Sequence, residues 1–253
     1  MIFKNFLNIK NSKIIKKDFL KLLKDQPALF ETLKPTYKYS YSKEIVKKYK
    51  KLSNLRIIGM GGSVLGSEAI YDFLKPKIKK KITFVNNLNS NADYFDSKNI
   101  NLNLIISKSG NTLETIANAN TLINKKEKNI IITEAKNSYL TNLAAKLKAE
   151  IFEHKNFVGG RYSILSEVGM LPAELMNLNE KKFKQFNNLI KNKNFINNLV
   201  NNVSTTLSLI KSGKQTSIIL NYDEQSENLF KWYQQLIAES LGKKKKWFLT
   251  RNL

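Results

Sequence analysis

From residue 55 the chain alternates short apolar runs with segments of helical period, and this alternation constrains the fold most strongly. "LRIIG" at 55–59 is a buried-strand pattern ended by glycine. "VLGSEAIYDFL" follows with apolar residues at helical spacing. "KITFVNN", "NLNLIIS", "KNIIIT" and "AEIFEH" supply four more strands, and "TLETIANANTLIN" and "SYLTNLAAKLK" are helices between them. Strands alternating with helices form βαβ units, with parallel strands and right-handed crossovers. The expected fold is α/β: a doubly wound parallel sheet with flanking helices.

The flanks divide the chain further. Residues 1–50 read as an N-terminal helical segment, from the spacing in "KKDFLKLLK" and "SKEIVKKYKKL". Residues 51–178 form the first α/β domain, and 179–213 a helical connection rich in lysine and asparagine. At 214–253, "KQTSIILNY" and "SENLFKWYQQLIAESL" read as the first strand and helix of a second α/β domain. One strand and one helix cannot bury a sheet alone. This pair is expected either to extend the first sheet or to lack its remaining partners.

Composition removes several functions. There is no cysteine, so disulfides and thiolate metal sites are excluded, and His154 is the only histidine. No apolar run approaches the roughly 20 residues of a membrane helix. The first residues lack the apolar core and cleavage site of a secretory signal, so the cytoplasm is the expected compartment. The net charge of +23 invites a nucleic-acid reading, but only Arg56, Arg161 and Arg251 carry the guanidinium fork. The lysines are scattered and read as a solvated surface whose field favours an anionic substrate. Neither nucleic acid nor membrane is an expected partner.

Ligands of doubly wound sheets bind beyond the carboxyl ends of the strands, at helix N-termini. Two loops fall there. "GMGGSVLG" (59–66) brings glycine backbone close to a ligand, with Gly62 and Ser63 as candidate phosphate contacts and Ser63 also a candidate cap. It matches neither the dinucleotide fingerprint nor a P-loop. "SKSGNTLET" (107–115) gathers Ser107, Ser109 and Thr112 beside Lys108, with Asn111 or Thr112 as the expected cap. Hydroxyls without a metal-binding carboxylate suit a phosphate monoester held as a handle. In "GGRYS" (159–163) a lysine-rich chain uses arginine, which points to a need for the planar fork of Arg161. Gln235 and Glu239 are four apart on one helix and share a face; Trp232 shares it and reads as core sooner than as a wall of the site.

"GMGGSVLGSEA", "SKSGNTLET", "VGGRYSILSEVGMLPAEL" and "QQLIAESLGK", in this order, resemble the glucose-6-phosphate isomerase (phosphoglucose isomerase) family over about residues 55–243. The resemblance implies two sugar-isomerase domains and an aldose–ketose isomerase interconverting glucose 6-phosphate and fructose 6-phosphate, in glycolysis and gluconeogenesis. By resemblance, Gly62, Ser63, Ser107, Lys108, Ser109 and Thr112 bind the phosphate. Arg161 stabilises the enediolate, Glu239 moves the proton between C1 and C2, and Gln235 lies one turn before it. No cofactor and no metal are implied, and the family is homodimeric. A non-catalytic sugar-phosphate-binding domain and an isomerase of another sugar phosphate are the alternative readings.

The family's ring-opening histidine and distal lysine have no counterpart here, since His154 precedes "GGRYS" and "KKKKWFLTRNL" comes too early. The chain is therefore expected to be a truncated copy or a fragment, with impaired turnover of ring-closed sugar. No role is read for residues beyond Lys243.

Overall fold

The computed structural model describes residues 12–88, 102–124, 126–214, 216–242 and 249–252. Five strands form one parallel sheet: β1 (Asn54–Gly59), β2 (Lys81–Val85), β3 (Leu102–Ile106), β4 (Lys128–Thr133) and β5 (Glu150–Glu153). Their spatial order is β2-β1-β3-β4-β5. The chain reverses its direction across the sheet between β1 and β3, which makes their carboxyl ends the ligand-binding crevice of such a sheet. Gly59 pairs with Ile106, so the two loops singled out in the sequence leave adjacent strands at one level.

The strands are apolar on both faces because helices cover both. Ahead of the sheet come α1 (Ser12–Asp25) and α2 (Lys43–Tyr49); α3 (Leu65–Leu74), α4 (Leu113–Leu122) and α5 (Tyr139–Leu147) alternate with the strands, and α6 (Glu167–Leu175) follows. Leu55, Ile57, Leu104, Ile106, Ile130 and Ile132 pack with Val46 and Tyr49 of α2 and Val168 and Leu171 of α6. Ile58, Ile105 and Ile131 pack on the other face with Ala119, Leu140 and Ala144 of α4 and α5. Arg56 is 0% exposed on β1, where Nη1 donates to Asn103 Oδ1 at 3.2 Å and to the Leu122 carbonyl at 2.7 Å. Asn103 donates onward to Asn129 at 2.9 Å, so a polar rung crosses three strands in register.

Helix α6 is tied on two sides. Pro172 lacks an N–H, which frees the Val168 carbonyl one turn earlier, and that carbonyl accepts from Ser67 of α3 at 3.2 Å. Tyr37 donates to both carboxylate oxygens of Glu167 at 3.0 Å, and Tyr41 to Glu174 at 2.7 Å. The N-terminal segment thus straps the helix that follows the Arg161 loop.

After α6 come α7 (Phe186–Lys191), α8 (Lys193–Lys211), β6 (Thr216–Ile219), α9 (Glu227–Leu241) and β7 (Leu249–Asn252). Here the structure corrects the expectation of a lone strand–helix pair. β6 does not join the first sheet; β7, in the stretch for which no role was read, pairs with it in parallel. A groove of about 600 Å³ between α8 and α9 is lined by Leu199, Val203, Leu207 and Ile237 among others. Helix α9 packs along α3, and Asn228 bonds to Asp72 across that contact.

Near the same contact Glu68 is only 6% exposed on α3 and accepts from Asn86 Nδ2 at 2.7 Å. Burial, and then the charge of Asp72, push its pKa up from 4.5 to about 7. A folded-state pKa above the unfolded one means stability is full at low pH and is lost as pH rises through about 7. The loss reaches the order of 3 kcal/mol from a shift of this size. Thermal melts from pH 5 to 8 should show a falling midpoint, and Glu68→Gln should flatten that slope. An unchanged slope in the variant would contradict the assignment.

Candidate active site

Ser107 ends β3 with its side chain buried, and its hydroxyl is 2.8 Å from that of Thr112. The Ser109 hydroxyl completes the group at 3.5 and 3.4 Å from these two. Thr112 is the N-cap of α4 but makes no side-chain capping bond, so the first-turn N–H groups face this cluster with the positive end of the helix dipole. Asn111 does not cap the helix either; its side-chain Oδ1 accepts from the Tyr139 N–H at 2.9 Å. The sequence-predicted hydroxyl cluster is therefore assembled, with α4 amides behind it.

Lys108 does not aim its ammonium at this cluster. It donates to the carbonyls of Asn156 at 2.8 Å and Val158 at 3.0 Å, with Glu134 at 3.6 Å. Only its backbone remains beside the hydroxyls. His154 is 1% exposed at the end of β5, and burial lowers its pKa; Nδ1 lies 3.2 Å from the Lys155 carbonyl oxygen. No contact among the described residues joins it to Arg161 or Glu239.

The glycine turn after β1 meets the arginine loop directly. Gly61 has φ +52, and residues 61–63 form a 3-10 turn. Val64, not Ser63, is the N-cap of α3, so the serine does not cap the helix. A Cβ on Gly62 would lie 2.3 Å from the Gly160 carbonyl carbon and 2.7 Å from the Arg161 nitrogen. Ser163 locks this approach by donating to the carbonyls of Gly62 at 3.0 Å and Gly160 at 2.7 Å.

Helix α9 brings the fourth motif to the same place. Arg161 Nη1 is 3.3 Å from Glu239 Oε2, and Arg161 Nε donates to Ser240 Oγ at 3.0 Å. Gln235 Nε2 donates to Glu239 Oε1 at 2.8 Å and borders the glycine turn at Gly61. The Tyr162 ring lies under the guanidinium, 4.5 Å from Cζ. Burial raises the Tyr162 pKa, but the Ser240 hydrogen bond and the Arg161 charge outweigh it and leave the phenol lowered. Trp232, read from the sequence as core, donates from Nε1 to the Arg161 carbonyl at 3.1 Å. It had the right face; Ser240 and Tyr162 were missed as contacts, although both lie inside the quoted motifs.

Two loops leave adjacent strand ends, one carrying the hydroxyl cluster, and the glycine turn of the other meets the loop of an arginine beside a half-exposed carboxylate. Among the described residues no group of His, Asp and Glu could hold a metal ion, and no helix is long and apolar enough to cross a membrane. A parallel sheet of order β2-β1-β3-β4-β5 with helices on both faces defines a doubly wound α/β protein whose ligands bind at the switch point. The fold is similar to that of a hypothetical protein of Thermus thermophilus, with TM-score 0.72, 21% identity and coverage of 96% of this chain and 63% of that one. It is also similar to the tagatose-6-phosphate ketose/aldose isomerase of Escherichia coli, with TM-score 0.53, 15% identity and coverage of 96% and 64%.

The phosphoglucose isomerase family model matches residues 11–247, and the chain belongs to that family. It is 36% identical over 222 residues to the glucose-6-phosphate isomerase of Methanocaldococcus jannaschii, covering 80% of this chain and 54% of the relative. It is 30% identical over 275 aligned positions to that of Acholeplasma laidlawii, covering 96% and 62%. The chain thus spans little more than half the length of these curated relatives.

Proposed function

We propose that the chain carries the phosphate-binding and proton-transfer parts of an aldose–ketose isomerase that interconverts glucose 6-phosphate and fructose 6-phosphate. Placement of Glu239 against Arg161, across 78 residues of sequence and beside the glycine turn, is the observation that supports it most. The phosphate group is held by the hydroxyls of Ser107, Ser109 and Thr112 and the first-turn amides of α4, with Ser63 and the Gly62 backbone on the β1 side. Lys108 contributes its backbone rather than its ammonium.

With the sugar anchored by its phosphate, C1 and C2 reach toward α9. Glu239 removes the C2 proton of the open-chain aldose and returns it to C1, while a proton passes from O2 to O1. The charge that develops on the enediolate oxygen is met by the Arg161 guanidinium, fixed before the reaction begins. Gln235 orients the carboxylate through its bond to Oε1. A purely sugar-phosphate-binding domain would need the hydroxyl cluster but gives no reason for the paired arginine and glutamate. The reaction belongs to glycolysis and gluconeogenesis, in the cytoplasm.

The phosphate assignment is tested by Ser107→Ala and Thr112→Val. Each removes a hydroxyl donor to a dianion and should weaken hexose 6-phosphate binding about tenfold, since hydrogen bonds to charged groups contribute about 1.5–3 kcal/mol. Calorimetry showing unchanged affinity in both variants would reject the site.

A further inference from the structure

We infer that Lys108 is a positioning residue: its ammonium ties the segment that leads into Arg161 onto the loop that carries the hydroxyl cluster. The inference rests on the roles proposed above for Arg161 and for that cluster. It gives the Lys108 side chain a task separate from holding phosphate.

Lys108 has a fixed base. Its carbonyl oxygen accepts from the Glu134 N–H at 3.1 Å and from Thr133 Oγ1 at 3.4 Å, at the end of β4. Its neighbours Ser107 and Ser109 carry two of the three clustered hydroxyls. From there the side chain crosses to the segment after β5. Nζ donates to the Asn156 carbonyl at 2.8 Å and to the Val158 carbonyl at 3.0 Å. Glu134 lies farther off at 3.6 Å and is engaged by Lys136 at 2.5 Å, so the two carbonyls are the nearer partners. One ammonium on two carbonyls fixes the orientation of that segment as well as its distance.

Between Val158 and Arg161 the chain is Gly159–Gly160, with no side chain to anchor it and wide backbone freedom. Such a link delivers the next residue to a defined place when both of its ends are held. On the far side Ser163 donates to the Gly62 and Gly160 carbonyls. On the near side Val158 is 0% exposed, and Lys108 holds its carbonyl. The arginine loop is therefore pinned to the turn after β1 at one end and to the loop after β3 at the other. A cation that meets developing negative charge works best when placed beforehand, and small misplacements slow the chemistry. The Lys108 side chain is 33% exposed, so its ammonium can be removed without opening the core.

The test uses the full chain labelled with 15N-arginine. The three arginines give three Nε resonances, and Arg161→Lys assigns the relevant one. Lys108→Met keeps the backbone and the apolar stem but removes the ammonium. In it the Arg161 Nε–H should exchange with solvent about tenfold faster, because its bond to Ser240 is formed less of the time. With fructose 6-phosphate in deuterated water, the bound sugar should gain deuterium at C1 about tenfold more slowly, while affinity by calorimetry stays within about threefold of wild type. Lys108→Arg, which offers N–H donors to both carbonyls, should recover most of both losses. Glu134→Gln should leave both readings near wild type. Unchanged Arg161 exchange in Lys108→Met, or no recovery in Lys108→Arg, would overturn the tether. So would a loss of affinity as large as the loss of rate, which would make the ammonium a phosphate ligand. A Glu134→Gln variant as impaired as Lys108→Met would also overturn it, by placing the effect in the ion pair. Absence of deuterium incorporation by the wild-type chain would instead count against the proposed reaction, and the arginine resonances would still decide the tether.

Discussion

Glu239→Gln is expected to leave hexose 6-phosphate binding within about threefold and to slow C1–C2 proton transfer by about 10²–10⁴-fold. The amide has the shape of the carboxylate and keeps an oxygen that can accept from Gln235, so the 2.8 Å bond survives. It cannot take up a proton at neutral pH. The proposed phosphate contacts lie on the loops after β3 and β1 rather than on α9, so affinity should hold. Isotope exchange at C2 read beside calorimetry separates the two effects. Equal losses of binding and exchange would mean that Glu239 holds the sugar rather than acting on it. Unchanged exchange would mean that another group is the base.

Gly62→Ala should be strongly damaging at the site. The added carbon would sit 2.3 Å from the Gly160 carbonyl carbon, 2.4 Å from its oxygen and 2.7 Å from the Arg161 nitrogen. All three are backbone atoms, so no side chain can swing away. The arginine loop must retreat, breaking the Ser163 bond to the Gly62 carbonyl and drawing Arg161 off Glu239. Overpacking of this kind costs about 1–3 kcal/mol in stability. A misplacement of about 1 Å costs about 10²-fold in rate. Gly160→Ala provides the contrast, because a Cβ there meets nothing within 4 Å. Thermal unfolding should show a lowered midpoint for Gly62→Ala and little change for Gly160→Ala. Similar midpoints for the two variants would contradict the close approach of the loops.

The sequence revealed the sheet where burial alone decides it. β1, β3 and β4 are apolar on both faces, and a continuous apolar run between glycines or helix-period segments has few other uses. β7 was not legible, because "LTRN" has no apolar alternation and forms a strand only through its pairing with β6. The four motifs were legible as short patterns, and Gln235 and Glu239 as one helix face. Their assembly was not, because it depends on α9 packing along α3, a contact that no local pattern specifies. The side-chain targets of Lys108 and Trp232 were not legible for the same reason. Their targets are the carbonyls of Asn156, Val158 and Arg161, on a loop far in sequence from both residues. Arg56 lies within a strand that reads as apolar because its polar partners come from two neighbouring elements.

The account turns on whether Glu239 and Arg161, as the fold places them, move a proton on a bound hexose 6-phosphate. Incubating the 253-residue chain with fructose 6-phosphate in deuterated water and following the carbon-bound hydrogens at C1 by NMR tests this most directly. The account predicts enzyme-dependent deuterium at C1 that disappears with Glu239→Gln and is suppressed by competing inorganic phosphate. Hexose 6-phosphate that binds at the hydroxyl cluster yet gains no deuterium at C1 above the rate without protein would contradict it.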